Sequence, residues 1–437
     1  MNCNPMWSSV KLNVRRNQIR DVMISKKVDN AEYAYHVLAP LNTLLKIFSL
    51  NCNLGFKTSF DNFCILFKYA LTATVLGVIN FFTLYYKMTN VYIQLNASIK
   101  FTDLVQVVFD YFQYLVDLYN VYKYGRQVSV EYYKQYSNID KILGVTYYPA
   151  IRENIVKSIV FFLITWFVIS ACDFVAWVLS FGWITPIMYS VSYIFLFIKI
   201  LTTLDLSAQA MQIECRLRSI CDLLQHYYYL LEPLPGSTTD LLNNENWFYS
   251  DACSRVTKLL SKKNVIKKPS CSSDHEVKWL CRCYVMLMEQ SNFINSMFGI
   301  RFLLNSLSLL IDMIRFMNLT VRMLIGSQHT TYDSGYLPAV FSLLRLLMCI
   351  AILVHLVHNC EKVYRQTDNI LNIADHLLLN RQPDDKLREA VTELRDLIRS
   401  RPISFNMANF FSLNYSMLLS VASVVVTYTI ILLQTTN

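Results

Sequence analysis

The chain contains apolar runs of more than twenty residues, repeated along its whole length, and a run of that kind finds its solvent only in a bilayer or deep in a very large core. Seven stretches reach the length needed to cross a hydrocarbon layer of about 30 Å at about 1.5 Å per residue. They lie at 61–86, 100–122, 155–181, 184–207, 292–325, 336–358 and 411–434. Composition agrees, since 54% of residues are apolar and 16% are charged, against about a quarter charged in soluble domains. Only 9 of 437 residues are glycine, which leaves little for a glycine-built nucleotide cradle. The expected fold class is an all-α membrane protein with seven transmembrane helices and cytoplasmic helical extensions.

The segments between the runs set the orientation, because positive charge stays on the cytoplasmic side. Residues 1–36 hold 6 Lys and Arg, 123–154 hold 5, 208–291 hold 10 and 359–404 hold 8, whereas the alternate loops hold 2, Lys87 and Lys100. This places the N-terminus inside and the C-terminus outside. The 1–36 tail has no apolar core of signal-peptide length, so the first span is expected to act as its own insertion signal. The net charge of +9 is read as loop lysines and arginines facing anionic lipid rather than nucleic acid. Asn96 opens a glycosylation sequon in the first external loop, whereas the Asn318 sequon falls inside a span.

The remaining divisions follow. Residues 37–60, broken by Pro40, Lys46 and Asn51, read as an amphipathic or interfacial helix before spans 1–4 in 61–207. Residues 208–291 form a cytoplasmic helical extension, with a flexible insertion from Glu232 to Cys271 that carries KKNVIKK at 262–268. Spans 5–6 occupy 292–358, cytoplasmic helices 359–410, and the last span 411–437. In the segment 384–401 the stripe Leu387, Val391, Leu394, Leu397 and Ile398 has helical spacing. It needs a partner, either the chain's own helices or another subunit.

Ionisable residues inside spans cost about 2.5 kcal/mol or more each, so they face protein or water. In the second span Asp103, Gln106, Asp110, Gln113 and Asp117 recur at steps of three and four, one helical face. Asp173, Asp312, Arg315, Arg322 and Arg345 are the other members. The outer halves of the spans gather Gln106, Asp110, Asp173, Trp177, Tyr189, Tyr193, Asp312 and Phe341, an aromatic wall with a few polar groups, as a small-molecule pocket requires. Two other readings remain: an ion-pair network, and for Trp183 and Tyr336 an interfacial belt.

No enzyme signature accompanies these residues. His355 and His358 lie three apart on one helix, near Asp205 or Glu361, and Cys271, Cys281 and Cys283 make a C-x-C without a second pair. Neither is a metal-site pattern, and no cofactor or catalytic residue is expected.

The last span reads NFFSLNYSMLLSVASVVVTYTIILLQTTN from Asn409. Thr427-Tyr428, five mostly apolar residues and Gln434 resemble the signature of the final helix of insect gustatory receptors. Cys360, Glu361 and the run Phe410-Phe411-Ser412-Leu413 are similar to that family too. One departure is that Thr435 replaces the terminal Phe. The resemblance implies a ligand-gated cation channel of the plasma membrane of chemosensory neurons, a homotetramer or a heterotetramer with related subunits. Final helices would line the pore, and the cytoplasmic helices would form the anchor. On the last helix Thr427, Ile430, Ile431 and Gln434 share a face, so the gate is expected at Gln434 and Thr435 beside them. Sugar-sensing members tend to carry a Trp and polar partners in the outer sixth span, and GYLPAVFSLLRLLM has neither Trp nor Gln. A bitter plant compound is thus the expected tastant, with a sugar as the alternative. An inverted transporter and a G-protein-coupled receptor are the rivals from other classes.

Overall fold

A computed structural model describes residues 30–51, 59–94, 97–127, 132–143, 148–231, 273–325 and 336–434. Ten α-helices, a short π-helix (Lys87–Val91), a 3-10 turn (Tyr92–Gln94) and one small hairpin make up most of these residues: α1 (Asn30–Ile47), α2 (Ser59–Tyr86), α3 (Ala97–Gln127), α4 (Tyr133–Leu143), α5 (Tyr148–Phe181), α6 (Ile184–Leu230), α7 (Ser273–Ile325), α8 (Leu337–Asn380), α9 (Asp385–Ser400), β1 (Asn406–Met407), β2 (Phe411–Ser412) and α10 (Tyr415–Gln434). The Asn96 sequon, the 232–271 insertion and Thr435 lie outside the described residues.

Five helices, α2, α5, α6, α7 and α8, are long and apolar enough to cross a membrane. Helix α3 has 31 residues but carries its three aspartates, and α10 is a shorter apolar helix. Helices α6, α7 and α8 have 47, 53 and 44 residues. At about 1.5 Å rise per residue each is roughly twice a hydrocarbon layer in length. Helix α6 therefore runs unbroken through residue 208, and α8 runs through 358.

The arrangement follows from where the apolar surface lies. Helices α6, α7 and α8 pack on one another and form the centre, α5 covers α6 and α8, and α3 lies along α7. Helix α2 is peripheral, with Phe63, Phe67, Leu71, Val75, Phe81 and Phe82 exposed, as a lipid-facing helix requires. Helix α1 forms where an amphipathic helix was expected, and Leu38, Leu41 and Leu45 are buried against α4, α5 and α6. Gly182 ends α5 with φ 73° and donates its N–H to the Val178 carbonyl at 2.9 Å. This left-handed cap lets α6 start two residues later.

The far ends of the long helices carry α4 and α9. The stripe Leu387, Val391, Leu394 and Ile398 is buried, with α9 packed on α7 and α8, so within one protomer its partner is the chain itself. Asp375 on α8 ties α9 down through Arg395 and Arg399, each at 2.7 Å. Arg216 on α6 grips Asp140 on α4 at both oxygens, 2.9 Å and 2.8 Å, and lies 3.8 Å from the Tyr136 ring centre. Burial pushes the Tyr136 hydroxyl up to about 12, with the Arg216 charge opposing.

Candidate ligand site and pore helix

The polar face of α3 meets a polar face of α7 in antiparallel register. Asp117 pairs with Arg301 (3.3 Å), Gln113 donates to Asn305 (2.9 Å), and Ser308 donates to Asp110 (2.7 Å). Gln106 then donates to Asp312, and Arg315 pairs with Asp103 (2.7 Å). Each step of three or four up α3 is matched by the same step down α7, so five rungs form one ladder. All ten side chains are buried. A polar ladder in apolar surroundings fixes register, because a slip of one turn would leave charges unpaired.

Lys199 of α6 closes the ladder from the third side. Its Nζ lies 2.7 Å from Asp110 and 2.5 Å from Asp312. Nearer the α2–α3 connection, Lys87 lies 3.0 Å from Asp103, and the Tyr92 hydroxyl donates to the same oxygen at 2.6 Å. Lys87 also sits 3.9 Å from the centre of the Tyr189 ring, and Tyr189 stacks on Trp177 at 5.6 Å with 15° between planes. Trp177 donates to Asp173 (3.0 Å), as do the Tyr193 hydroxyl (2.7 Å) and Arg345 (3.0 Å). Phe341 is half-buried one turn before Arg345 on α8.

The expected pocket residues thus fall into two adjoining groups, Gln106, Asp110 and Asp312 around Lys199, and Asp173, Trp177, Tyr189 and Tyr193 around Arg345. Lys87 and Arg315 join them. The ion-pair reading and the aromatic-wall reading describe the same residues. Lys87, expected as a loop base, is instead buried; Tyr92 and Lys199 went unread in the sequence, as did the place of Arg301 in its span, although a single base within FLFIKILTTLDL or SMFGIRFLLN was a usable signal for a buried partner. Asn318 is fully buried on α7 and accepts from Arg322 at 2.9 Å. His355 and His358 are not brought to one point. The first meets Asn359 at 3.2 Å and the second meets the Tyr415 hydroxyl at 3.1 Å. Cys281 and Cys283 are both buried on α7.

The last helix is set by a bracket of hydrogen bonds. Ser291 and Asn295 of α7 donate to the Ser404 carbonyl at 3.0 Å and 2.8 Å, and Asn295 accepts the Asn406 N–H at 3.0 Å. The turn between β1 and β2 holds Ala408 at φ 49° and Asn409 at φ 62°, an unusual backbone for alanine. Gly299 permits it, because a Cβ there would lie 2.9 Å from the Ala408 nitrogen. Tyr415 N–H then reaches Glu361 of α8 at 3.3 Å. Leu413 is buried while Phe410 and Phe411 are exposed. Along α10, Val425 and Thr429 are buried, and Thr427, Tyr428, Ile430, Ile431 and Gln434 are exposed in the protomer.

Residues 38–436 match the model of one protein family, described as 7tm chemosensory receptor. The chain belongs to that family, which comprises insect olfactory and gustatory receptors. Its relatives are chemosensory receptors, and its long apolar helices are those of a multi-span membrane receptor. Among solved structures the receptor is similar to the insect olfactory receptor OR5 of Machilis hrabei in complex with eugenol, at 13% identity and TM-score 0.56, over 93% of this chain and 100% of that one. A second structure of OR5 matches at 12% identity and TM-score 0.50 over the same shares. At such identities the likeness is one of fold. No curated protein matches the receptor in sequence.

Proposed function

We propose that this receptor is a subunit of a ligand-gated, non-selective cation channel, opened by an extracellular small-molecule tastant at the plasma membrane of chemosensory neurons. The observation that carries the reading is the uncovered face of α10. A helix of 20 residues, anchored at its start by a bracket to α7 and α8, turns Thr427, Ile430, Ile431 and Gln434 away from the bundle. Four such faces around an axis give a wall of isoleucines ending in a ring of amides. A hydrophobic constriction of that kind closes by dewetting, and an amide ring receives a partly hydrated cation. Gln434 and Thr435 form the gate in this reading, and the departure from the family Phe at 435 loosens the closed state.

Seven spans, with α3 and α10 added to the five apolar helices, an inside N-terminus, an outside C-terminus and a homotetramer or a heterotetramer with related subunits complete the reading. The excess of lysine and arginine in alternate segments supports the orientation. The ligand site is the group of Gln106, Asp110, Asp173, Trp177, Tyr189, Tyr193, Asp312 and Phe341, a reading supported by the meeting of aromatic planes and buried charges there. The fold relative OR5 was solved with eugenol, which is in keeping with an aromatic ligand. A bitter plant compound suits these walls better than a sugar.

The test is whole-cell current from the chain expressed alone while plant secondary compounds and simple sugars are perfused. An evoked cation current that changes in Gln434→Ala supports channel and gate together. A C-terminal tag that antibody cannot reach on intact cells overturns the topology, and with it the pore.

A further inference from the structure

The outer layer of the buried network holds three cations, Lys87, Arg315 and Arg345, against two carboxylates, Asp103 and Asp173. The balancing carboxylate lies one turn deeper, where Asp110 and Asp312 share Lys199. Each carboxylate of the outer layer faces three donor groups, with Asp103 Oδ1 held by Arg315 as an ion pair and not by a formed hydrogen bond. Asp103 takes Lys87, Tyr92 and Arg315, and Asp173 takes Trp177, Tyr193 and Arg345.

Donors are in surplus there. Arg315 Nη1 and Arg345 Nε make no hydrogen bond among the described residues, and both arginines are 6% exposed. Their guanidinium carbons lie 5.5 Å and 4.5 Å from the centre of one ring, Phe316, so two like charges with spare donors lie against a single aromatic ring. Arg345 also covers the Tyr193 ring at 4.7 Å. A desolvated guanidinium with an idle N–H lacks the partner that burial normally demands, and a carboxylate is the group its fork fits.

We infer that this site selects aromatic carboxylates, the carboxylate received between Arg315 and Arg345 and the ring seated among Phe316, Tyr193 and the Tyr189–Trp177 stack. The inference rests on the proposed receptor site and gives its ligand a charge. An aromatic ammonium ion is refused, because Asp103 and Asp173 already serve three donors each and the layer carries an excess of positive charge.

Two readouts test it separately. In the first, detergent-purified receptor is heated with benzoate, phenylacetate or cinnamate, each against its amide and its amine. The expected result is stabilisation by a carboxylate at a concentration about tenfold or more below its amide, as one charge-assisted hydrogen bond implies, with no stabilisation by the amines. Arg315→Lys and Arg345→Lys keep the charge but lose the fork, and each should erase most of the preference for carboxylate over amide. In the second readout the same compounds are perfused during whole-cell recording. Carboxylate stabilisation without current defeats the channel reading and leaves this inference standing. Equal stabilisation by carboxylate and amide, a preference for the amines, stabilisation by none of the carboxylates, or a preference that survives in both lysine variants overturns the inference.

Discussion

Replacing Lys199 by methionine should be the most damaging single change in the transmembrane part, and the structure says why it should exceed the loss of either carboxylate beside it. The ammonium lies 2.7 Å and 2.5 Å from Asp110 and Asp312, and all three side chains are at most 2% exposed. At an effective dielectric of about 20 each contact carries roughly 6 kcal/mol of Coulomb energy, most of it offset by the desolvation of three charges. Lys199→Met removes both contacts and leaves two buried carboxylates facing each other, so the net cost should reach about 3–5 kcal/mol, the range for breaking a buried pair. Asp312→Asn differs in kind. Lys199 keeps Asp110 and still donates to the new amide oxygen, while the new amide N–H can donate to the side-chain oxygen of a turned Gln106. That variant should cost about 1 kcal/mol or less. The assay is reversible unfolding in mixed detergent and dodecyl sulfate micelles, with surface fraction in cells as a second measure. Asp312→Asn proving as destabilising as Lys199→Met would falsify the argument, as would a Lys199→Met protein within about 1 kcal/mol of the parent.

Three further outcomes follow from other parts of the molecule. Arg216→Lys should lose the two-pronged grip on Asp140 and cost about 1–3 kcal/mol in the same unfolding assay, and an unchanged midpoint would show that α4 is held by other contacts. Gly299→Ala puts a Cβ 2.9 Å from the Ala408 backbone nitrogen, so it should cost about 1–3 kcal/mol. Gly77→Ala puts a Cβ 2.5 Å from the Tyr111 hydroxyl and 2.9 Å from its ring carbon, but a side chain can turn aside where backbone cannot, so it should cost less, and the reverse order would discount the bracket. Thr435→Phe should reduce leak current in the absence of ligand by tightening the dry constriction, which steady-state conductance of unstimulated cells measures. A larger leak would refute that placement of the gate.

The five polar positions of α3 were legible because a helix face is written in steps of three and four, and every one of them is at most 3% exposed. Their partners were less so. Each lies about 200 residues away on α7, and spacing within one segment carries no information on what crosses to it. Counting bases against carboxylates inside the spans would still have flagged Lys199 and Arg301. Helix ends were hidden for a different reason. Lysine and arginine mark where the lipid stops, whereas α6, α7 and α8 keep their helical period far past that point and bury the new faces against α4 and α9. The hairpin at 406–412 left no trace, since two-residue strands show no alternation and Ala408 is not a turn-forming residue. Its one clue, Gly299, sits on another helix.

Helix α7 carries both halves of the proposed mechanism on one continuous backbone. Its segment 301–315 supplies the rungs that fix α3 and the arginine of the outer cluster, and its segment 284–299 holds the peptide that leads into α10 through Tyr284, Ser291, Asn295 and Gly299. No loop or hinge separates the two. The ladder forbids α7 from sliding along α3, even by a full turn, without unpairing charges. Small rotations are the motion that keeps its rungs intact. Such a rotation swings the bracket sideways, and with it the start of α10, whose outward face is uncovered in the protomer. A site that holds charges in register and a helix that hangs from the same shaft would therefore form one device, and in the proposed reading a ligand bound between Arg315 and Arg345 would act on α10 through the angle of α7 rather than through its position along the membrane.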